Sequence, residues 1–240
     1  MSKIKVVAFD LDGTLTQHKS KLSEETRKML DCLGARYKLI MVGAGVCNRI
    51  FEQMNRYPID IIGNYGMQYA VYDHEIASLR FIRDEKYACD RERVAKTVAE
   101  LRKKYGWLEF KGKGVEFHSS GAVTIPILGT DADLSDKLVY DPDRKKRRAI
   151  YEEVCATFPE YNVFVGGSSS FDMVPKPFNK FYALELFAKE YGFSYDEIAY
   201  VGDDYGPGGN DESVYQSDIP FFCVDNYREV ANVLKPLLNT

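Results

Sequence analysis

The chain has 240 residues, 45% of them hydrophobic and 28% charged, enough for one large core or for a core with a smaller module inserted in it. Its net charge of −4 argues against a non-specific nucleic-acid binder, and no stretch has the apolar length of a membrane span or the pattern of a secretory leader. The five cysteines (Cys32, Cys47, Cys89, Cys155, Cys223) are scattered without a C-x-x-C pair, so the expectation is reduced thiols in a cytoplasmic protein, with neither a zinc site nor a disulfide framework.

In chain order, the first element is the apolar run Val6-Val7-Ala8-Phe9, which reads as a buried strand ended by Asp10 and Asp12. Ser23, followed by Glu24 and Glu25, predicts a helix start; Thr26, Met29, Leu30 and Leu33 form its stripe, and Gly34 stops it. A strand over 37–42, a short helix over 48–57 and a strand over 59–62 complete a β-α-β-α-β order. Alternation over 67–83 predicts a hairpin turning near Asp73-His74.

The pattern then becomes mixed. A helix is expected after Asp90, striped by Val94, Val98, Leu101 and Tyr105 and closed by Gly106. Strands over 115–118 and 123–128, a helix over 143–158, and strands over 162–165 and 170–174 follow. A basic cluster, Arg144-Lys145-Lys146-Arg147-Arg148, opens that helix and reads as a solvated face in preference to a phosphate grip. From Phe178 the strand–helix alternation returns, with a helix over 179–191, strands over 198–201 and 221–224, and a helix over 227–238. The expected fold is α/β: a doubly wound parallel, Rossmann-like core from 1–81 and 177–240, with an α+β module over 82–176 inserted in it.

Asp10 and Asp12, two residues apart in extended chain, point the same way. Neighbouring carboxylates repel unless a cation lies between them or one takes a proton. A divalent metal can hold one as a nucleophile while the other, protonated, serves as general acid; two solvated aspartates at a strand end are the plainer alternative. Asp203, Asp204 and Asp211 lie in a Gly-, Pro- and Asn-rich loop after the strand over 198–201. Such hard oxygen ligands suit Mg2+, or simply make an acidic turn; paired with Asp10 and Asp12 on the same sheet, the metal reading wins. Lys180 at a helix start opposes the macrodipole, which a nearby carboxylate and phosphoryl group would explain; a plain surface lysine is the commoner alternative. Gly43-Ala44-Gly45, between strand and helix, would let backbone N–H groups approach a phosphate, or is simply the glycine turn common at such a junction. No histidine has ligand spacing, and Ser170 lacks a nucleophile elbow.

The string Phe9-Asp10-Leu11-Asp12-Gly13-Thr14-Leu15-Thr16 resembles the first motif of the haloacid dehalogenase superfamily, and Asp10/Asp12, Gly43, Lys180 and Asp203/Asp211 fall in the order of its four motifs. The runs from Gly166 to Pro175 and from Gly202 to Glu212, with Pro207-Gly208-Gly209 before Asn210-Asp211, are similar to stretches of the eukaryotic-type phosphomannomutases. That resemblance implies a C2b-type cap, Asp10 as nucleophile and Asp12 as acid/base. It also implies Mg2+ held by Asp10, the Asp12 carbonyl and Asp203, with Asp211 in the same acidic set. Lys180 would steady an aspartyl-phosphate, and Ser170 and Asp172 would contact sugar hydroxyls. Where the family pattern has arginines gripping the distal phosphate, this chain has His118 or Ser119, Thr130 and Lys137, and Lys19 stands for an arginine of the first loop. Loss of those bidentate forks favours water as acceptor. The expectation is therefore an Mg2+-dependent phosphatase of a small phosphorylated metabolite, a sugar phosphate above all, with a mutase as the alternative. A non-catalytic binding module is a third reading, disfavoured by the intact acidic set. No nucleic-acid or membrane partner is expected, and a homodimer is left open.

Overall fold

The structure, a computed structural model, describes residues 3–239. Its strands are β1 (Val6–Phe9), β2 (Lys38–Val42), β3 (Asp60–Gly63), β4 (Gln68–Asp73), β5 (Ser78–Asp84), β6 (Glu116–Phe117), β7 (Val123–Pro126), β8 (Tyr161–Phe164), β9 (Ser170–Pro175), β10 (Ile198–Gly202) and β11 (Phe221–Cys223). The chain divides into two compact units. One takes residues up to Asp84, Asn179–Gly206 and the chain from Asp211; the other takes Glu85–Phe178 and Pro207–Asn210.

In the larger unit seven strands run in the order β11-β10-β1-β2-β3-β4-β5. The strands from β11 to β3 are parallel, and β4 and β5 form the expected antiparallel hairpin. The apolar run of β1 is continuous because helices cover both faces of this central strand. Val7 and Phe9 pack with Leu30 and Leu33 of the helix Glu24–Gly34, while Val6 and Ala8 pack with Leu184 and Phe187 of the helix Lys180–Tyr191. Each such buried valine, leucine or phenylalanine contributes about 1.5–3 kcal/mol. The first helix begins as expected, with Ser23 Oγ accepting the Thr26 N–H at 3.1 Å.

The smaller unit is an antiparallel sheet, β6-β7-β9-β8, with the helix Arg91–Tyr105 starting at Asp90, whose side chain accepts the Arg93 N–H, and ending at the left-handed Gly106. Along β9, Phe171 and Met173 are fully buried and Ser170 and Asp172 take the opposite face.

The helix expected over 143–158 is a correction. Two short helices, Lys145–Arg148 and Tyr151–Thr157, stand there, after another at Leu134–Tyr140 that the sequence did not announce. The Asp141 carboxylate accepts the N–H groups of Lys146 (2.9 Å) and Arg147 (3.1 Å), opening a fresh helix start at that point. Leu134, Leu138 and Val139 are exposed, so the preceding helix has no core-facing stripe to betray it. Nor is the basic cluster wholly a solvated face: the Arg147 side chain is 1% exposed. Its Nε donates to Asp141 Oδ2 at 2.8 Å, and its Nη1 donates to the carbonyls of Gly166 (2.6 Å) and Ser170 (2.9 Å). Among the described residues, no helix is long and apolar enough to cross a membrane.

Candidate active site

Register brings the site together. Phe9 of β1 pairs with Val201 of β10, so Asp10, just past the end of β1, and Asp203, just past Gly202 at the end of β10, leave the sheet side by side. The Asp10 N–H donates to Val201 O at 2.9 Å, and the chain then folds into a tight loop in which the Gly13 N–H donates to Thr16 O at 2.8 Å. Gly13 has φ +101°, and a Cβ there would come within 2.6 Å of the Asp203 carboxylate carbon. Thr14 Oγ1 donates to Asp203 Oδ1 at 2.8 Å, tying the loop after β1 to the loop after β10.

Lys180 enters from the first turn of its helix, whose start is capped by Asn179 accepting the Tyr182 N–H at 2.8 Å. Its ammonium is wholly buried and donates to Asp10 Oδ1 at 2.5 Å and Asp211 Oδ1 at 2.7 Å. Asp211 also receives the Tyr200 hydroxyl on Oδ1 (2.6 Å) and the N–H groups of Asp203 (3.1 Å) and Asp204 (3.0 Å) on Oδ2. Four donors thus meet one carboxylate, which suits Asp211 to fixing the loop and the lysine.

Carboxylate oxygens of Asp10, Asp203 and Asp211 lie within 4.8 Å of one another. This is a donor set that fits a hard divalent cation such as Mg2+. Burial, above all, raises the pKa of Asp10 well above the ordinary carboxylate value; Lys180 opposes this, and the negative Asp211 and Asp203 add to it. Burial, and then Asp211, push Asp203 up to about 6. Burial works against the charge on Lys180, but the carboxylates of Asp10 and Asp211 outweigh it and raise its pKa, so it stays an ammonium. Burial and mutual repulsion thus leave these carboxylates with more negative charge than Lys180 alone offsets, which a divalent cation would neutralise.

The carboxylate of Asp12 lies outside that cluster. Its Oδ1 accepts Gln53 Nε2 at 2.6 Å and the Lys19 N–H at 2.7 Å, and its Oδ2 faces Arg49 with Nη1 and Nη2 both at 3.4 Å. Burial alone would raise its pKa, but Gln53, the Lys19 N–H and Arg49 outweigh burial and hold it below the usual range. The Asp12 carboxylate is therefore ionised at neutral pH.

The Gly43 N–H is spent on Ile62 O (2.9 Å), which leaves Ala44 and Gly45 as the N–H groups of that turn with no bonded acceptor among the described residues. Ser170 and Asp172 belong to the smaller unit. There Ser170 Oγ donates to Gly166 O at 3.0 Å, and Asp172 Oδ1 accepts Thr124 Oγ1 at 3.1 Å. Burial raises the pKa of Asp172 against the pull of that hydroxyl. Gln53, Arg49, Thr14 and Tyr200 were not anticipated. The one available hint was that Arg49 and Gln53, four apart on the helix Cys47–Gln53, share a face.

A profile of the family described as eukaryotic phosphomannomutase matches residues 26–237. The phosphomannomutase of Saccharomyces cerevisiae is 28% identical over 222 residues, covering 88% of this chain and 84% of that protein. A probable phosphomannomutase of Caenorhabditis elegans is 24% identical over 255 residues, covering 97% of this chain and 96% of its own. Among solved structures, an IMP-bound IMP-nucleotidase of Plasmodium falciparum superposes with a TM-score of 0.72 at 15% identity, covering 99% of this chain and 69% of that one. A haloalkanoate-superfamily phosphatase of Bacteroides thetaiotaomicron gives 0.62 at 18% identity, covering 98% and 95%.

Proposed function

Because the chain belongs to the eukaryotic phosphomannomutase family of the haloacid dehalogenase superfamily, we propose that it is a hexose-phosphate mutase, moving a phosphoryl group between two positions of one sugar through Asp10. This replaces hydrolysis as the leading reading, since the named relatives are mutases. The observation that carries transfer through Asp10, in either reading, is the buried arrangement in which the Lys180 ammonium joins Asp10 to Asp211 beside Asp203.

In the proposed cycle Asp10 starts as the aspartyl-phosphate, primed by a hexose bisphosphate: a hydroxyl of a hexose monophosphate attacks its phosphorus, the bond from Asp10 oxygen to phosphorus breaks, and a hexose bisphosphate forms. In that attack Asp12, an ionised carboxylate, takes the hydroxyl proton. With the bisphosphate turned end for end, Asp10 attacks the other phosphorus, that P–O ester bond breaks, and Asp12 returns the proton to the leaving sugar oxygen. Lys180 stays charged throughout and steadies negative charge beside Asp10. Asp10, Asp203 and the Asp12 carbonyl would hold Mg2+, with Asp211 aligning them; the ion would supply charge neutralisation at the phosphoryl oxygens. Ser170 and Asp172 are assigned to sugar hydroxyls in the same proposal, and Ala44 and Gly45 to the phosphate.

One observation favours hydrolysis as a second reading. Two basic side chains of the smaller unit that could hold a second phosphate are already engaged: Arg147 is spent on Asp141 and carbonyls, and Lys137 Nζ donates to Thr130 O at 2.9 Å. Incubation with mannose 1-phosphate, Mg2+ and a trace of hexose bisphosphate, followed by phosphorus NMR, separates the two. Formation of the 6-phosphate without inorganic phosphate supports the mutase; stoichiometric release of inorganic phosphate replaces it with the hydrolase.

A further inference from the structure

Arg49 is a cation of this neighbourhood whose fork is only partly bonded. Its side chain is 45% exposed. Nη1 reaches Asp12 Oδ2 (3.4 Å) and Gln53 Oε1 (3.0 Å), and Nη2 reaches Asp12 Oδ2 (3.4 Å). Charge-assisted N–H···O bonds ordinarily lie near ~2.7–2.9 Å, so both carboxylate contacts are long. Among the described residues, Nε and the second Nη2 hydrogen meet no acceptor, and these two form one fork edge of the guanidinium. That edge faces the bare α-carbon of Gly45, where a Cβ would collide with both Nη2 and Nε. A side chain at position 45 would displace the arginine; glycine leaves it a resting place that offers no bond.

The contrast with the other candidates is direct. Arg147 is buried with its donors spent, and Lys137 is bound to Thr130 O. Arg102 is buried among the carbonyls of Trp107, Gly114 and Ile127. Arg49 stands instead beside the acid/base carboxylate, on the side where the sugar portion of a substrate must lie if Asp12 is to reach its oxygen.

We propose that Arg49 is the residue that grips the second anionic group of the substrate, a phosphate carried elsewhere on the same sugar. The guanidinium turns from Gly45 and Asp12 and offers its open fork to the phosphate oxygens. Asp12 keeps its two short bonds, from Gln53 and the Lys19 N–H, when Arg49 leaves. The grip comes from the larger unit alone. This inference rests on the mutase reading of the site.

The test is equilibrium binding, with Mg2+, to the Asp10→Asn protein and to the same protein carrying Arg49→Ala or Arg49→Lys. Mannose 1,6-bisphosphate and mannose 1-phosphate are the two probes. Arg49→Ala weakens the bisphosphate by about tenfold or more while the monophosphate weakens far less, and Arg49→Lys recovers part of the loss, since charge remains but the fork does not. Equal losses for both probes would mean that Arg49 merely positions Asp12, and no loss would mean that it touches neither; each overturns the proposal. If the parent protein binds neither sugar, the mutase reading fails on its own account. The grip is then judged with inorganic pyrophosphate as a competitor of p-nitrophenyl phosphate turnover: a tenfold weaker inhibition constant in Arg49→Ala sustains it, and an unchanged constant ends it.

Discussion

Thr14 and Asp203 are 189 residues apart in the chain, and the threonine hydroxyl donates to the aspartate Oδ1 at 2.8 Å. The bond aims one carboxylate of the acidic cluster from the loop that carries the proposed nucleophile. Hydrogen bonds of this kind to ligating groups commonly affect metal affinity by about 10–100-fold. Thr14→Val keeps the shape and removes the donor. It is expected to weaken Mg2+ by about tenfold, read as the concentration needed for half of the metal-induced thermal stabilisation. Asp203→Asn is expected to abolish that stabilisation, and Mg2+ removal by chelator to abolish turnover of the parent. An undiminished metal response in Asp203→Asn would remove Asp203 from the ion's ligands.

Lys180 is wholly buried between Asp10 and Asp211. Lys180→Met leaves two carboxylates facing each other without a cation, and breaking a buried pair in this way costs about 3–5 kcal/mol. Urea unfolding followed by circular dichroism is expected to show a lower midpoint with an unchanged slope. A midpoint equal to the parent's would mean that both carboxylates take protons at little cost.

Much of this was legible from residue types and spacing, and what was not is informative. The β1 run and the two aspartates after it are local signals, and the parallel order follows from alternating strands and helices, so Asp10 and Asp203 meet where the register requires. Arg49 and Gln53 left no such trace. Both lie on a short helix, about forty residues from Asp12, and only the folded loop makes them its partners. The run around Arg147 was misread because a cluster of five basic residues in sequence looks solvated, whereas one of them turns inward to Asp141 and backbone carbonyls. The substrate preference was the least legible part. The missing arginines of the family pattern suggested hydrolysis, and sequence patterns do not say whether a different cation has taken over the task.

The buried Asp141–Arg147 pair sets a pH dependence of stability in the smaller unit. Burial alone would raise the Asp141 pKa, but the Arg147 side chain and the N–H groups of Lys146 and Arg147 outweigh it and lower it. A carboxylate whose folded pKa lies below its unfolded value adds stability above the unfolded value, and that stability is lost as pH falls through the folded one. The protein is thus expected to lose stability steeply as pH drops below about 4, with Asp141→Asn less stable at neutral pH and less sensitive to that drop. Chemical denaturation at a series of pH values checks this; parallel curves for the two proteins would contradict it.

The central claim is that Asp10 carries the phosphoryl group. Acid quenching during turnover of a hexose phosphate with Mg2+, followed by peptide mass spectrometry, tests it most directly. The account predicts phosphate on the peptide containing Asp10, absent from the Asp10→Asn protein, which should also have no turnover. Continued turnover in that variant, or phosphate on a different residue, would contradict it.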